Sequence, residues 1–319
     1  MTFDKASAAL PPVVFLMGPT AAGKSDLALR LCDALPAEIV SVDSAQVYRR
    51  LNIGSAKPNP HVLAAYPHHL VDIREPHESY SAADFREDAL QTIAEIHNRG
   101  NVPLLVGGTG LYFRTLERGI ADLPDVPDAV RQALREECAA EGSAAMHVSL
   151  QAVDAASAAR IHPNDPQRVL RALEIFRVTG KPFSEYLLNG EHNAIPYPLV
   201  KIVFAPAEKA TLHPAIASRF QTMLAEGLVN EVLQLYRDPR VQFDVPALRA
   251  VGYRAVWQFI DGHSTRRQMV HDGVVATRRL AKRQYTWFRG EADCKWIDSA
   301  ASNAFVTVLN TVKKAVFSN

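Results

Sequence analysis

The chain has 319 residues, 48% of them apolar and 22% charged, with a formal net charge of +1, which is ordinary globular composition and excludes a general affinity for acidic or basic partners. Its three cysteines, Cys32, Cys138 and Cys294, lie far apart with no C-x-x-C pair, so a reducing cytoplasm is expected and a disulfide framework is not. The start "MTFDKASAALPP" lacks the basic-then-apolar pattern of a signal peptide, and no apolar run approaches the ~20 residues that span a bilayer.

Taken in chain order, "VVFLM" (13–17) reads as a buried strand and "SDLALRLCDAL" as a helix with Leu27, Leu31 and Leu35 on one face. "EIVSV" (38–42) is a second strand, "HLVDI" a third, and "VPLLV" (102–106) a fourth after the helical "SAADFREDALQTIAEIHNRG". Strands alternating with helices predict right-handed βαβ units and a parallel sheet. From Leu123 the texture changes. "DVPDAVRQALREECAAEG" opens with proline and stops at glycine, and "DAASAARIH", "DPQRVLRALEIFRVTG" and "KPFSEYLLNG" continue as helices. "AIPYP" is an exit linker, and "LVKIVFA" (199–205) returns as a strand able to rejoin the first sheet. The remainder is mostly helical, with long patterns near 213–236 and 264–289. The fold class is α/β: a P-loop-type parallel core, residues 1–122 and 199–319, flanked by helices, with an all-helical insertion at 123–198.

"GPTAAGKS" follows the first strand and has the G-x-x-x-x-G-K-[ST] spacing. The glycines, Gly18 and Gly23, let backbone N–H groups wrap an anion. Lys24 adds a point charge, Ser25 offers a hydroxyl to Mg²⁺, and the helix that follows adds its dipole. The loop alone does not name the phosphate it holds. Asp43, after the second strand, lies on the same carboxyl edge of the sheet, as general base, magnesium ligand or cap of the segment from Ser44. "VGGTGLY" follows the fourth strand; its glycines admit close backbone approach and Thr109 presents a hydroxyl, although a plain strand-to-helix turn has the same spelling. In "ATRRLAKRQYTWFR", Arg278, Arg279, Lys282 and Arg283 share one helical face, with Tyr285, Trp287 and Phe288 beside it. A one-sign face near aromatics suits a phosphate backbone and unstacked bases, against the plainer reading of a solvated helix surface. The adjacent His68 and His69 lack metal-ligand spacing and are assigned a structural role.

In this order "GPTAAGKS", "DSAQVYRRLNIGSAKP", "HHLVD", "VGGTGLYF", "DPQRVLRALE", "RFQTMLAEGLVNEV", "RAVGYR" and "TRRLAKRQYTWFR" resemble the tRNA dimethylallyltransferases, also called tRNA isopentenyltransferases. The resemblance implies transfer of a dimethylallyl group from dimethylallyl diphosphate to the N6 amine of the adenosine 3′ of the anticodon, with Mg²⁺. It implies that Gly18, Thr20, Ala21, Ala22, Gly23, Lys24, Ser25 and Arg219 hold the diphosphate, that Asp43 is the general base, and that Thr109 orients the amine. The target base must leave the anticodon-loop stack. By the same resemblance the tRNA meets Asp43, Ser44, Ala45, Gln46, Thr109 and Arg131. It also meets Gln167, Arg168, Val169, Leu170 and Arg171, and Arg249, Ala250, Val251, Gly252, Tyr253 and Arg254. Gln46 can bond an adenine edge. One departure is Ala215, where many relatives carry an arginine. The expected partners are the tRNA anticodon stem-loop and dimethylallyl diphosphate, with a cytoplasmic monomer and no membrane. The rival readings are a P-loop small-molecule kinase and an RNA-binding ATPase.

Overall fold

The computed structural model describes residues 10–188 and 193–317. The start of "MTFDKASAALPP" and the last two residues of "KPFSEYLLNG" lie outside them. The chain packs as two compact units, one running to Thr115 and resuming at Pro196, the other Leu116–Ile195.

The first unit is built on a six-stranded, wholly parallel sheet. Its strands are β1 (Val13–Met17), β2 (Ala37–Val42), β3 (His68–His69), β4 (Val102–Gly107), β5 (Leu199–Ala205) and β6 (Lys295–Asp298), in the order β3-β2-β4-β1-β5-β6. β1 is central and every one of its residues is buried, as a strand covered on both faces must be. Helix α1 (Lys24–Ala34) lays Leu27 and Leu31 on one face of the sheet, with Leu35 beyond its end. Val308 and Val312 of α14 (Ala304–Phe317) join that layer. On the other face lie α3 (Ala82–Asn98), α4 (Gly110–Arg118) and α13 (Arg266–Arg289). There Phe15 of β1 meets Phe113 of α4 at 5.0 Å between ring centroids, and Phe113 meets Phe288 of α13 at 6.4 Å. The short α2 (Pro60–Ala65) precedes β3. The pattern read near 213–236 is two helices, α10 (Leu212–Ala225) and α11 (Leu228–Tyr236), because Gly227 turns left-handed at φ 106°. α12 (Tyr253–Ile260) packs between α11 and α13.

The expected strand "HLVDI" ends after two residues. Leu70 and Asp72 adopt left-handed backbone, Asp72 takes an ion pair from Lys57, and its N–H donates to Gln46 O. The chain thereby leaves the sheet to run beside residues 46–49.

The second unit contains α5 (Asp128–Glu141), α6 (Ser143–Val153), α7 (Ala155–Arg160), α8 (Pro166–Thr179) and α9 (Phe183–Leu188), with no strand among its described residues. Its core gathers Leu134, Met146, Leu150, Val169, Ala172 and Leu173. Asp154 is almost fully buried and joins two helices of this unit: Oδ1 accepts the Ser157 N–H and the Ser184 hydroxyl, and Oδ2 accepts the Ser184 N–H. The unit runs from Leu116 to Ile195 against the 123–198 read from composition; the division falls inside α4, a continuous helix that no composition shift marks. No helix among the described residues is long and apolar enough to cross a membrane.

Candidate active site

Parallel register brings three strand ends to one level. Met17 and Val42 both lie opposite Gly107, so the chain leaves β1, β4 and β2 at Gly18, Gly108 and Asp43 along a single edge. That edge, at the carboxyl ends of the strands, is where open α/β sheets bind ligands.

The loop from Gly18 to Ser25 curls because Ala21 and Gly23 are left-handed, at φ 64° and 84°. Gly23 caps α1 without a side-chain bond, leaving the first N–H groups of the helix for an anion. The N–H groups of Ala21, Ala22 and Gly23 have no protein partner among the described residues. The Thr20 N–H is different: it donates to Oε1 of Gln284 at 2.8 Å. Lys24 Nζ donates to Pro19 O at 2.7 Å, and burial holds its ammonium down to about 8, opposed by Asp43 and reinforced by Arg219. Arg219, on α10, is likewise depressed by burial and supported by Asp43, and it has no ion-pair partner among the described residues. Lys24 in the loop and Arg219 on α10 thus both feel Asp43 and both keep spare donor capacity. Ser25 is exposed in the first turn of α1. Ala215, on the same helix as Arg219, is exposed.

Asp43 divides its carboxylate. Oδ1 accepts the N–H groups of Ala45 (2.8 Å) and Gln46 (3.3 Å), closing the turn at 44–47, whereas Oδ2 has no partner among the described residues. The capping role and a free proton acceptor thus coexist in one side chain. Thr109 ties β4 to β2: its N–H donates to Val42 O and its Oγ1 accepts the Ser44 N–H at 3.2 Å, which leaves the hydroxyl proton to be donated. Gln46 is committed within the chain, its Oε1 accepting from Ser41 and its Nε2 donating to Ser55 O and Ala56 O at 3.4 and 3.3 Å. Of its amide, one acceptor lone pair remains.

In "RAVGYR", Arg249 and Arg254 are exposed, Ala250 and Val251 half-buried and Gly252 buried. Tyr253 corrects the expectation of tRNA contact: it is 0% exposed, and its hydroxyl donates to Glu231 Oε1. Glu231 also accepts the N–H groups of Asn52, Ile53 and Gly54, so Tyr253 supports the "LNIGS" loop from behind. On α13, Arg278, Arg279, Lys282 and Arg283 are all exposed and have no ion-pair partner among the described residues. The neighbouring aromatics do not accompany them. Tyr285 and Phe288 are buried, the former donating to Pro206 O, and Trp287 is half-buried beneath the Arg114 guanidinium.

In the helical unit, Gln167 and Arg168 of α8 are exposed and Arg171 is half-buried against Glu174. Val169 lies fully buried in that unit's core, which corrects its expected tRNA contact because helical periodicity turns it inward, whereas Leu170 packs against that core while staying partly exposed. Arg131 pairs with Asp128 at 3.3 Å. His68 bonds Tyr66 O, and His69 bonds Glu38.

A family model described as IPP transferase matches residues 46–291. The chain belongs to the IPP transferase family. It is 36% identical to the tRNA isopentenylpyrophosphate transferase of Bacillus halodurans, with a TM-score of 0.70 over 96% of this chain and 97% of that one. With the tRNA delta(2)-isopentenylpyrophosphate transferase of Staphylococcus epidermidis it shares 30% identity and a TM-score of 0.67, over 95% and 98% of the two chains. A eukaryotic dimethylallyltransferase acting on tRNA has the same fold at 24% identity and a TM-score of 0.79, over 95% of this chain and 79% of that one. Membership of the family decides against the small-molecule kinase and the RNA-binding ATPase.

Proposed function

We propose that the protein transfers the dimethylallyl group of dimethylallyl diphosphate to N6 of the adenosine 3′ of the anticodon in tRNA. The observation that carries the reading is the convergence, on one sheet edge, of an anion loop, a carboxylate with an unengaged oxygen and a hydroxyl with a proton to donate. In the reaction C1–O of the diphosphate ester breaks, C1–N6 forms, pyrophosphate leaves and the N6 proton passes to Asp43 Oδ2. The N–H groups of Ala21–Ser25, Lys24 and Arg219 stabilise charge as it develops on the leaving group. Thr109 orients the amine, whose lone pair is otherwise delocalised into the ring. Mg²⁺ suits this edge, because Ser25 supplies a hard oxygen and such an ion takes few protein ligands beside substrate phosphates. Bound there, the ion would neutralise leaving-group charge.

The exposed cations of α13 hold the tRNA backbone, with Arg249, Arg254, Gln167, Arg168 and Arg131 as further contacts. The protein acts as a cytoplasmic monomer, and its three free cysteines are in keeping with a reducing compartment. The test is incubation with unmodified tRNA, Mg²⁺ and labelled dimethylallyl diphosphate, followed by digestion to nucleosides. Label is expected in N6-dimethylallyladenosine; label absent from the nucleosides overturns the reading.

A further inference from the structure

Gln284 is buried at 9% exposure on α13, on the side of that helix opposite Arg278, Arg279, Lys282 and Arg283. Its Oε1 accepts the Thr20 N–H at 2.8 Å and its Nε2 donates to Gly108 O at 3.0 Å. The partners settle which end is which, since an amide N–H can only donate and a carbonyl can only accept. The amide thus lies between the two loops and bonds to both. A Cβ on Gly108 would fall 2.1 Å from Gln284 Nε2 and 3.3 Å from Gly18 O, so residue 108 has no room for a side chain. Glu cannot replace the amide, because it lacks a donor for Gly108 O.

We infer that Gln284 is a positioning residue, which sets the phosphate loop and the Gly-Gly-Thr loop at a fixed separation. It thereby sets the leaving group against the hydroxyl that orients the amine. The inference rests on the proposed prenyl transfer. Two consequences follow from the bonds. The Thr20 N–H is withheld from the anion, so the cradle begins at Ala21. Both loops are also anchored to the helix that presents Arg278, Arg279, Lys282 and Arg283, and a single rigid element thus carries the tRNA-facing charges and the spacer of the reaction centre.

The experiment compares Gln284→Met, which keeps side-chain length and loses both bonds, with Gln284→Glu, which keeps only the acceptor. Gly108→Ala displaces the same amide from the other side and serves should Gln284→Met not fold. Each is measured for melting temperature, tRNA affinity with its salt dependence, and single-turnover transfer at saturating dimethylallyl diphosphate and tRNA. The expected result is an unchanged salt slope, tRNA affinity within roughly 3-fold of wild type, and transfer slowed roughly 10- to 100-fold, the scale of a misplaced reacting group. A folded Gln284→Met with wild-type single-turnover rate overturns the inference. So does a loss confined to melting temperature or tRNA affinity, which would mark a packing role. Absence of transfer by the wild-type protein is a different outcome: it overturns the functional reading itself, and this inference falls with it.

Discussion

Asp43 serves two purposes with two oxygens, and a substitution can separate them. Asn at this position can still accept the Ala45 and Gln46 N–H groups through its carbonyl oxygen, so the turn and the fold persist. It cannot accept the N6 proton. Asp43→Asn is therefore expected to keep much of its tRNA affinity and to lose roughly 10²- to 10⁴-fold in single-turnover transfer, the usual contribution of a general base; a near-normal rate removes Asp43 from that role. Lys24 supplies a prediction in pH. Burial lowers its ammonium to about 8, whereas a diphosphate in the loop favours the charged form. Binding should therefore take up a proton above pH 8, and diphosphate affinity should fall as pH rises through that value. Calorimetry in buffers of different ionisation enthalpy reads the uptake. The sign for stability is the reverse, because the charged amine is disfavoured in the fold: stability rises between pH 8 and the ordinary lysine value of 10.5.

At the scale of elements, α13 presents two faces with different duties. The exposed one is purely cationic in its second half, and its side chains are not neutralised within the described residues. Replacing Arg278, Arg279, Lys282 and Arg283 with Gln, singly and in pairs, should weaken tRNA binding. It should also flatten the salt dependence by roughly 0.7–0.9 in log–log slope for each phosphate-bound cation removed, while the rate at saturating tRNA is retained. An unchanged affinity and slope across the set would make the face a solvated surface. The start of β2 is held differently. Glu38 is almost fully buried: its Oε1 accepts from Nε of Arg99 and from Asn101, and its Oε2 accepts from Nη2 of Arg99 and bonds His69 Nε2. These bonds hold its carboxyl down at about 2. The stability they add is present above the ordinary glutamate value of 4.5 and is lost as pH falls toward 2. Glu38→Gln, which leaves Arg99 without its anion, should cost roughly 1–3 kcal/mol at neutral pH and flatten the acid limb of the stability curve, as read by urea titration across pH.

For the molecule as a whole, the phosphate loop poses the question of which phosphate is consumed. Nucleotide hydrolases of this general core place a magnesium-holding Asp at the end of a neighbouring strand. Here β4 ends in Gly107, Gly108 and Thr109, and the carboxylate that does follow a strand, Asp43, closes its own turn with one oxygen and keeps the other free. Transfer is therefore expected with Mg²⁺ and no nucleotide, releasing one pyrophosphate per modified tRNA. ATP and pyrophosphate should act as weak competitors, because the loop reads phosphate oxygens and the five-carbon tail needs a small apolar pocket instead of a fit to ribose and base. Measurement of nucleotide and pyrophosphate alongside modified tRNA tests this, and stoichiometric ATP cleavage would overturn it.

The central strands, the phosphate loop and the helical insertion were legible along the chain because each is a local signal: an apolar run, a glycine spacing, a 3.6-residue period. β1, β2, β4 and β5 stand where the apolar runs predicted them. β6 and α6 were not legible as elements. "KWID" is a four-residue edge strand that buries only Ile297, and one buried position is too few to show a period. The limits of "HLVDI" and of the 213–236 pattern depended on backbone reversals at Leu70, Asp72 and Gly227, which apolar spacing does not encode. Function followed from an ordered set of motifs, but the duties of individual residues did not. Val169 and Tyr253 belong to motifs expected at the tRNA, yet both are buried, because a motif records proximity in sequence whereas exposure depends on which face packs inward. Gln284 is the converse case. It stands amid arginines and aromatics with nothing local to distinguish it, and its two partners lie 264 and 176 residues away in the chain. Only the docking of α13 over the sheet edge brings a donor and an acceptor from two loops within reach of one amide.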